Sequence, residues 1–571
     1  MKIDLEHDSY PSTIHVDLCI VGAGPAGITI AQQLVGSGLS VCLAESGGLT
    51  TEPRTQMLYD GDCIGYPMSL TSGRYRVFGG STTQSVESHI RWGGRCAVLD
   101  PIDFRGRSWV RHSGWPISWQ SMQPYYERAK KIANFAQPWF DNEDALLSIK
   151  KQLPIFNSKN IVPFVWRAAR PYFRQRFRYL QPRKGSFGWE VAYGPTLEKD
   201  INTTILLHAN LVEISGDPSG QRIETARFKS LGGEEVLVSA KSFVLCCSGI
   251  DNARLLLNLP NVILSNINKF DNIGRYFAQH PRGVILTLRP GRSAALPLQK
   301  QFNIFRRAPY APVLYEVGFA LSEEAQQSQK LLNASAAIYY QEQEFSAWEA
   351  GKRLRDAAKR RSAYSGALAD LKALLSGLFS VVRNLIRERI LSIEPLIPDP
   401  IARVIIDLEQ EPNYESRITL SDTVDDMGLR RARVDWKISE NERRTARELA
   451  KYVAEELARL GYGHAHPELW LDSEEPLSES QLRGTYHFIG ATRMANSPEN
   501  GVVNSDCRVF GLENLYLGGC SVFPTGGHAN PTLTIVALAI RLADHLRESL
   551  TRKSNGASEK GELVKSSEPT A

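Results

Sequence analysis

The sequence predicts an α/β protein, α+β overall. Three observations predict it: an apolar strand near the start of the chain runs straight into a glycine-rich turn and a helix, further strand-like runs lie far downstream, and the middle of the chain carries strand patterns such as Ala402 to Leu408 and Ser416 to Leu420. The 571 residues are 42% hydrophobic and 23% charged, enough to bury a large core and to build two or three domain-sized units.

The first element is Val16-Asp17-Leu18-Cys19-Ile20-Val21, a near-continuous apolar run of strand length followed at once by Gly22-Ala23-Gly24-Pro25-Ala26-Gly27. Ile28, Ala31, Leu34 and Val35 then recur at helical spacing, Pro25 suits the first helical turn, and Gly36-Ser37-Gly38 ends the helix. A second strand, Ser40 to Ala44, closes with Glu45, 23 residues past Gly22. The three glycines allow a tight turn, close approach of backbone N–H groups to a pyrophosphate, and packing of helix on strand. The helix N-terminus adds partial positive charge, and the acid accepts hydrogen bonds from ribose hydroxyls. A lone glycine motif would be only a turn, but here strand, turn, helix, strand and acid occur in order. Asn202 to Ile214 and Lys241 to Leu257 supply further strand-like runs, the second passing through Ser248-Gly249 into a helix.

The overall composition points away from several classes. The net charge of +5 comes from 67 basic and 62 acidic residues, too even a balance to imply nucleic acid or an anionic membrane as partner. Met1 to Asp17 carries acids where a signal peptide needs a basic region, and no run approaches the length of a spanning helix, so a cytoplasmic location is the expectation. Eight scattered cysteines without a CxxC pair read as reduced, buried thiols, and no metal site is expected.

Four further blocks follow the glycine motif in order: Arg76-Val77-Phe78-Gly79-Gly80-Ser81-Thr82-Thr83 with Trp92-Gly93-Gly94-Arg95-Cys96; Ser113-Gly114-Trp115-Pro116-Ile117-Ser118; Asn272-Ile273-Gly274-Arg275-Tyr276-Phe277; and Tyr486-His487-Phe488-Ile489-Gly490 with Gly526-Gly527-His528-Ala529-Asn530-Pro531-Thr532. With them the chain resembles the glucose-methanol-choline (GMC) oxidoreductase family. Within it the combination of His487 with Asn-Pro-Thr is most similar to pyranose oxidases and related bacterial enzymes that oxidise sugars or glycosides. The resemblance implies a Rossmann-like FAD-binding domain interleaved with a substrate domain built on an antiparallel sheet with helices. It implies FAD contacts from Gly22, Gly24, Pro25, Ala26, Gly27, Glu45 and Ser46, and from Tyr75, Arg76, Gly79, Gly80 and Ser81. Trp92, Gly93 and Gly94, Val212, Gly249 and Asn252, and Gly519, Cys520, Asn530, Pro531 and Thr532 complete the set. It places His487 at the flavin face as the base, with Asn530 bonding the substrate oxygen and His528 lining the pocket or capping the turn.

The residues support that assignment on their own terms. Pro531 to Leu546 reads as a helix capped at Asn530-Pro531, and its N-terminus favours an anion such as the reduced flavin's pyrimidine edge. Residues 84–88 insert before His89-Ile90-Arg91-Trp92, which removes His89 from the spacing of histidyl-flavin enzymes, so FAD is expected without a covalent link. Residues 322–395 read as an amphipathic helix pair with basic residues between the leucines. The expectation is helices packed on the substrate domain with a solvated basic face, a lid or a membrane-surface anchor being the alternatives. The expected FAD domain uses 1–125, 196–282 and 481–550, the substrate domain 126–195 and 283–480, and 551–571 is a polar, disordered tail.

The chemistry so implied is removal of a proton from an alcohol, on a secondary hydroxyl of a sugar or glycoside, as its hydride moves to flavin N5. Dioxygen or a quinone-like carrier is the expected electron acceptor. A redox-neutral FAD-containing lyase, a non-sugar alcohol as substrate, and a nicotinamide-dependent dehydrogenase are the alternatives.

Overall fold

The computed structural model describes residues 1–83, 95–133, 154–169, 188–306, 313–341, 347–360, 365–386, 396–397 and 399–565. Leu18, Cys19 and Ile20 are fully buried because the strand that carries them, Thr13–Val21, lies inside a parallel sheet covered on both faces. Strand order in that sheet is Lys2–Asp4, Thr203–Leu207, Val41–Ala44, Thr13–Val21, Glu235–Leu245, Ile223–Lys229 and Asn210–Gly216, with Leu515–Leu517 also joining Glu235–Leu245. Pairings from Lys2–Asp4 through to Leu515–Leu517 are parallel. The last two strands of the order return antiparallel. Val21 pairs with both Ala44 and Leu245, and Leu245 with Leu517, so four strands end in register.

The turn after Val21 enters the helix Pro25–Leu34 with proline in its first turn, as the glycine motif requires. Gly22 sits at φ +99°, and a Cβ there would lie 2.7 Å from the carbonyl oxygen of Cys246. Gly27 brings the helix onto the strand: a Cβ would collide with the Gly22 carbonyl oxygen. This helix packs against the C-terminal helix Thr532–Lys565, which also packs on Trp119–Ile132.

A second sheet is antiparallel throughout, in the order Ala465–Pro467, Arg282–Leu288, Ile401–Leu408, Ala334–Gln341, Val313–Leu321, Ile161–Ala169 and Arg95–Cys96. A small third sheet joins Arg417–Val424, Arg430–Asp435 and Gly61–Cys63.

Four local expectations need correction. The run Asn202 to Ile214 is two strands, broken where His208 adopts φ +52° and its ring bridges Asp4 at 2.7 Å and Glu52 at 3.1 Å. Ser416 to Leu420 belongs to the small third sheet and not to the large antiparallel one, and Arg95–Cys96, counted with the nucleotide-binding unit, pairs with Ile161–Ala169. The stretch 347–385 forms three helices, Ala347–Arg360, Ala367–Ser376 and Leu378–Leu385, where a pair was expected, because Gly377 separates the last two. The C-terminal helix runs on to Lys565 through residues expected to be disordered. Overpacking the helix–strand contact tests the first sheet: Gly27→Ala is expected to cost about 1–3 kcal/mol, read as a lower unfolding midpoint. An unchanged midpoint would contradict the packing described.

Candidate active site

Because the four parallel strands end together, the backbone that leaves their carboxyl ends converges, and a cavity of about 640 Å³ opens there. Val21 and Gly22, Glu45 and Ser46, Ala209 and Asn210, Cys246 and Cys247, and Gly519 and Cys520 line it in turn, each pair at or just beyond a strand end. Glu45 is buried. Its carboxylate accepts the Ala23 N–H at 2.9 Å, the Gly47 N–H at 3.0 Å and the Ser46 hydroxyl. Burial pushes its pKa above the usual carboxylate value against the pull of those donors and of Arg76.

Guanidinium groups line the middle of the cavity. Arg74 and Arg76 lie over the Tyr59 ring at 3.8 and 4.4 Å from its centroid, and both pair with the buried Asp251. Arg254 pairs with Asp425 at 2.5 Å. The Nε atom of Arg76 is buried with no hydrogen-bond partner among the described residues, and nothing lies within 4 Å of where a Gly24 Cβ would stand. A spare buried donor, an open approach to the N-terminus of the helix Pro25–Leu34 and a carboxylate at the next strand end are what a dinucleotide pyrophosphate and ribose need.

At the other end stand His487, Asn530, Thr485, Arg282 and Arg483. The segment carrying His487 lies alongside residues 275–280, with Ile489 and Ala278 exchanging backbone hydrogen bonds, and Gly490 at φ +72° passes against the Tyr276 carbonyl. That pairing sets the buried His280 beside His487, Nδ1 to Nδ1 at 2.8 Å, rings edge to face.

The hydrogen bonds fix both tautomers. His280 Nε2 faces the Gly526 carbonyl at 3.3 Å, which can only accept, so Nε2 carries the His280 proton and its Nδ1 holds a lone pair. Thr485 donates its hydroxyl to the His280 carbonyl, so toward His487 Nδ1, 3.0 Å away, it too can only accept. His487 Nδ1 therefore carries the proton, and its Nε2 is left with the lone pair. Burial first, then the neighbouring His280 and Arg282, hold the His487 pKa well below its ordinary value, and burial lowers His280 to about 4. Both rings are neutral at neutral pH. Among the described residues the Asn530 amide has no hydrogen-bonding partner.

Residues 412–539 match the family model described as GMC oxidoreductase. A 2-methyl-1,2-propanediol dehydrogenase from Mycolicibacterium austroafricanum is 24% identical over 94% of this chain and 96% of its own length. A C-glycoside 3-oxidase from Arthrobacter globiformis is 28% identical over 28% of this chain and 29% of its own length. The chain thus resembles the GMC oxidoreductase family, the matched segment being that family's C-terminal domain. Its cofactor is FAD, and it is an oxidoreductase acting on CH–OH groups. The fold agrees: a pyridoxine 4-oxidase structure superposes with a TM-score of 0.52 at 15% identity, covering 93% of this chain and 99% of that one. Formate oxidase from Aspergillus oryzae RIB40 gives 0.53 at 14%, covering 95% and 99%.

Of the expected FAD residues, Gly22, Gly24, Pro25, Ala26, Glu45, Ser46, Tyr75, Arg76, Gly80, Ser81, Gly519, Cys520, Asn530, Pro531 and Thr532 line the cavity. Others support it without lining it. Gly79 donates its N–H to the Ala23 carbonyl, and Gly249 lets the helix Ser248–Leu257 approach Phe488. The Asn252 side chain accepts from Cys247 N–H and donates to the Gly518 carbonyl and Ser521, which ties two strand ends together. Val212 is absent from the wall; the strand turns after His208, so Ala209, Asn210 and Leu211 meet the cavity instead. Trp92, Gly93, Gly94 and His89 lie outside the described residues. The cap also shifts by one position: Ile535 N–H bonds the Pro531 carbonyl, so Pro531 caps the helix and Asn530 is left facing the cavity.

His528 does not line the cavity. It is buried, bonded through Nε2 to Asp100 at 3.2 Å and set edge-on to Phe164. Burial opposes its charge, but the Asp100 carboxylate outweighs that and raises its pKa. Sequence reasoning missed His280, which has no glycine or repeated motif to flag it, and the Arg74–Asp251–Arg254 cluster, which is assembled from distant segments.

Two outcomes test this geometry. Glu45→Ala removes charge-assisted hydrogen bonds of about 1.5–3 kcal/mol, so FAD affinity, measured by fluorescence on titration of the apoprotein, is expected to fall roughly ten- to hundredfold. His528→Ala is expected to lower the unfolding midpoint while flavin reduction by substrate keeps its rate. Loss of flavin reduction in a folded, FAD-loaded His528 variant would place that ring at the site after all.

Proposed function

We propose that the protein oxidises a secondary hydroxyl of a sugar or similar polyhydroxylated molecule to a carbonyl, with His487 as the proton acceptor. The observation that carries this reading is the hydrogen-bond chain from Gly526 through His280 to His487, which leaves the His487 Nε2 lone pair as the free basic site of a ring on the cavity wall. FAD bound along the cavity supplies the acceptor for the hydride. The hydroxyl proton of the substrate goes to His487 Nε2, so the carbon can release its hydride without building up a protonated carbonyl. Asn530, with an uncommitted amide on the same wall, donates to the substrate oxygen and holds it toward His487. The N-terminus of the helix Thr532–Lys565 stands beside them and favours negative charge on the reduced cofactor.

A polyhydroxylated substrate suits the wall around His487. Arg282, Arg483 and Thr485 line this end, and Arg95 and Arg282 are held by Asp407 at 3.0 and 2.5 Å. Fixed donors and acceptors of this kind are costly to bury against an aliphatic alcohol and are well matched by adjacent hydroxyls. Two relatives are named for this class, a fructose dehydrogenase large subunit from Gluconobacter japonicus, 20% identical over 94% of this chain, and the C-glycoside 3-oxidase, which matches in part, while the 2-methyl-1,2-propanediol dehydrogenase is named for a small aliphatic diol, the alternative substrate. The electron acceptor is dioxygen or a quinone-like carrier.

Anaerobic mixing with sugars, glycosides and aliphatic alcohols, followed by flavin absorbance, tests the reading. Bleaching by a sugar or glycoside is expected. Bleaching by simple aliphatic alcohols alone would refute the substrate class, and no bleaching by any alcohol would favour a redox-neutral reaction. Losing a general base costs about a hundredfold to ten-thousandfold, so His487→Ala is expected to slow flavin reduction at least to the lower figure with FAD content unchanged, and Asn530→Ala to cost less. His487 must be neutral to accept a proton, and its pKa lies well below 6.5, so the reduction rate should be flat through neutral pH and fall only on acidification below that value. His280→Leu removes the acceptor for His487 Nδ1–H, a hydrogen bond worth about 0.5–1.5 kcal/mol; a several-fold loss of rate and a displaced ascending limb are expected. An unaltered profile would detach His280 from the reaction.

A further inference from the structure

The helices Ala367–Ser376 and Leu378–Leu385 are built inside out. Two of their polar side chains point inward: Asp370 is 7% exposed and bonded to Arg353 of the helix Ala347–Arg360, and Asn384 is 1% exposed, pairing with both backbone groups of Leu396. Their large apolar side chains point outward. Leu368, Leu371 and Leu375 form one stripe at helical spacing, and Leu378, Phe379 and Val382 continue it, with Leu375 at 63% and Phe379 at 82% exposure. A solvated helix of a globular protein shows the opposite arrangement, so beside the basic face expected from the sequence these helices also present an apolar stripe. Scattered exposed leucines need no explanation, whereas a contiguous exposed stripe marks an interaction surface.

The charge of the same segment identifies the occupant. Residues 347–386 hold eight Lys and Arg against three Asp and Glu, a net +5 that equals the excess of the whole chain, so the other residues sum to neutrality. Lys372 on the second helix is exposed, and Lys352, Arg353 and Arg355 on the first are partly exposed, each paired with an acid (Glu349, Asp370 and Asp356), while Asp370, the acid of the second helix, is itself turned inward. The close packing of the first helix on the turn at Gly377, where a Cβ would meet Ala347, fixes the basic helix beside the apolar stripe. Apolar side chains flanked by cations match the two layers of an anionic bilayer surface, acyl chains and phosphate headgroups. A second copy of the chain would set the same net positive segment against itself, and that like-charge contact argues against a dimer. Among the described residues no helix is long and apolar enough to cross a membrane, so the contact is peripheral.

We infer that the helices of residues 347–386 dock the protein on an anionic lipid surface, with Leu375 and Phe379 inserted among the acyl chains. This reading is independent of the proposed reaction, because none of these residues lines the cavity.

Cosedimentation of the FAD-loaded protein with vesicles of phosphatidylcholine alone and of an equimolar mixture with phosphatidylglycerol tests it. Binding to the mixed vesicles, weakened by high salt and absent on phosphatidylcholine alone, is expected. The double variant Leu375→Glu, Phe379→Glu should bind at least roughly tenfold more weakly while keeping FAD content and flavin reduction. Lys372→Glu should weaken binding less and reduce its salt dependence. Failure of the native protein to bind either vesicle, or equal binding by the double variant, would overturn the proposal. So would a native dimer in sedimentation velocity that the double variant dissociates without any vesicle binding, since a second copy would then cover the stripe.

Discussion

The register in which Val21, Ala44, Leu245 and Leu517 end together is the constraint on which the rest of the site depends. Parallel strands cannot turn back at their ends, so each leaves by a loop or a helix on the same side, and those exits converge. Gly22 and Gly27 let the first exit turn tightly against the Cys246 carbonyl and pack its helix against the sheet. Were either contact wider, the N-terminus of the helix Pro25–Leu34 would move away from Glu45, whose carboxylate bonds the turn directly through Ala23 N–H. Glu45 therefore holds the turn in shape and lines the cavity with the same two oxygens.

The second constraint is the meeting of segments that are far apart in the chain. Residues 275–280 and 487–491 pair by backbone hydrogen bonds, and only this pairing brings His280 to His487. In a neutral histidine pair the proton positions follow from whatever acceptor lies at the far end. Here that acceptor is the Gly526 carbonyl, on the loop that leads to Asn530 and the C-terminal helix. One backbone oxygen thus orients two rings, and the same loop presents the Asn530 amide. Tautomer and partner are set by one piece of backbone, so they cannot drift independently.

What was legible in the sequence follows from these two constraints. The turn at Gly22, the acid at Glu45 and the strand-to-helix passage at Ser248 are local: spacing and glycine content report them, and the structure places them at the cavity or its edge. His487 and Asn530 stood out through a family motif, and both line the cavity. Val212 was misplaced because nothing in an apolar run shows that His208 will adopt a left-handed conformation and reset which residues face inward. His528 looked equivalent to Asn530, two residues away, yet its ring is claimed by Asp100, which lies 428 positions earlier. His280 and the arginine cluster depend on long-range pairing, for which a single sequence carries no signal.

The electrostatics of the cavity follow from how its cations are compensated. Arg74, Arg76 and Arg254 surround Asp251, Arg254 also pairs with Asp425, and Arg95 and Arg282 share Asp407 with Glu316 on Arg95, so five guanidinium groups meet four carboxylates. Such a wall costs less when an anion enters it, and the pyrophosphate of a bound FAD would supply one. At the far end the same excess acts on a titrating group: Arg282 stands beside His487 and, after burial and His280, holds its imidazole neutral. Positive charge that would favour an anionic cofactor also helps to keep the His487 imidazole unprotonated. Both effects weaken with distance, so Arg282, which pairs with Asp407 and lines the cavity near His487, is where the charge of the wall and the protonation of that imidazole are coupled.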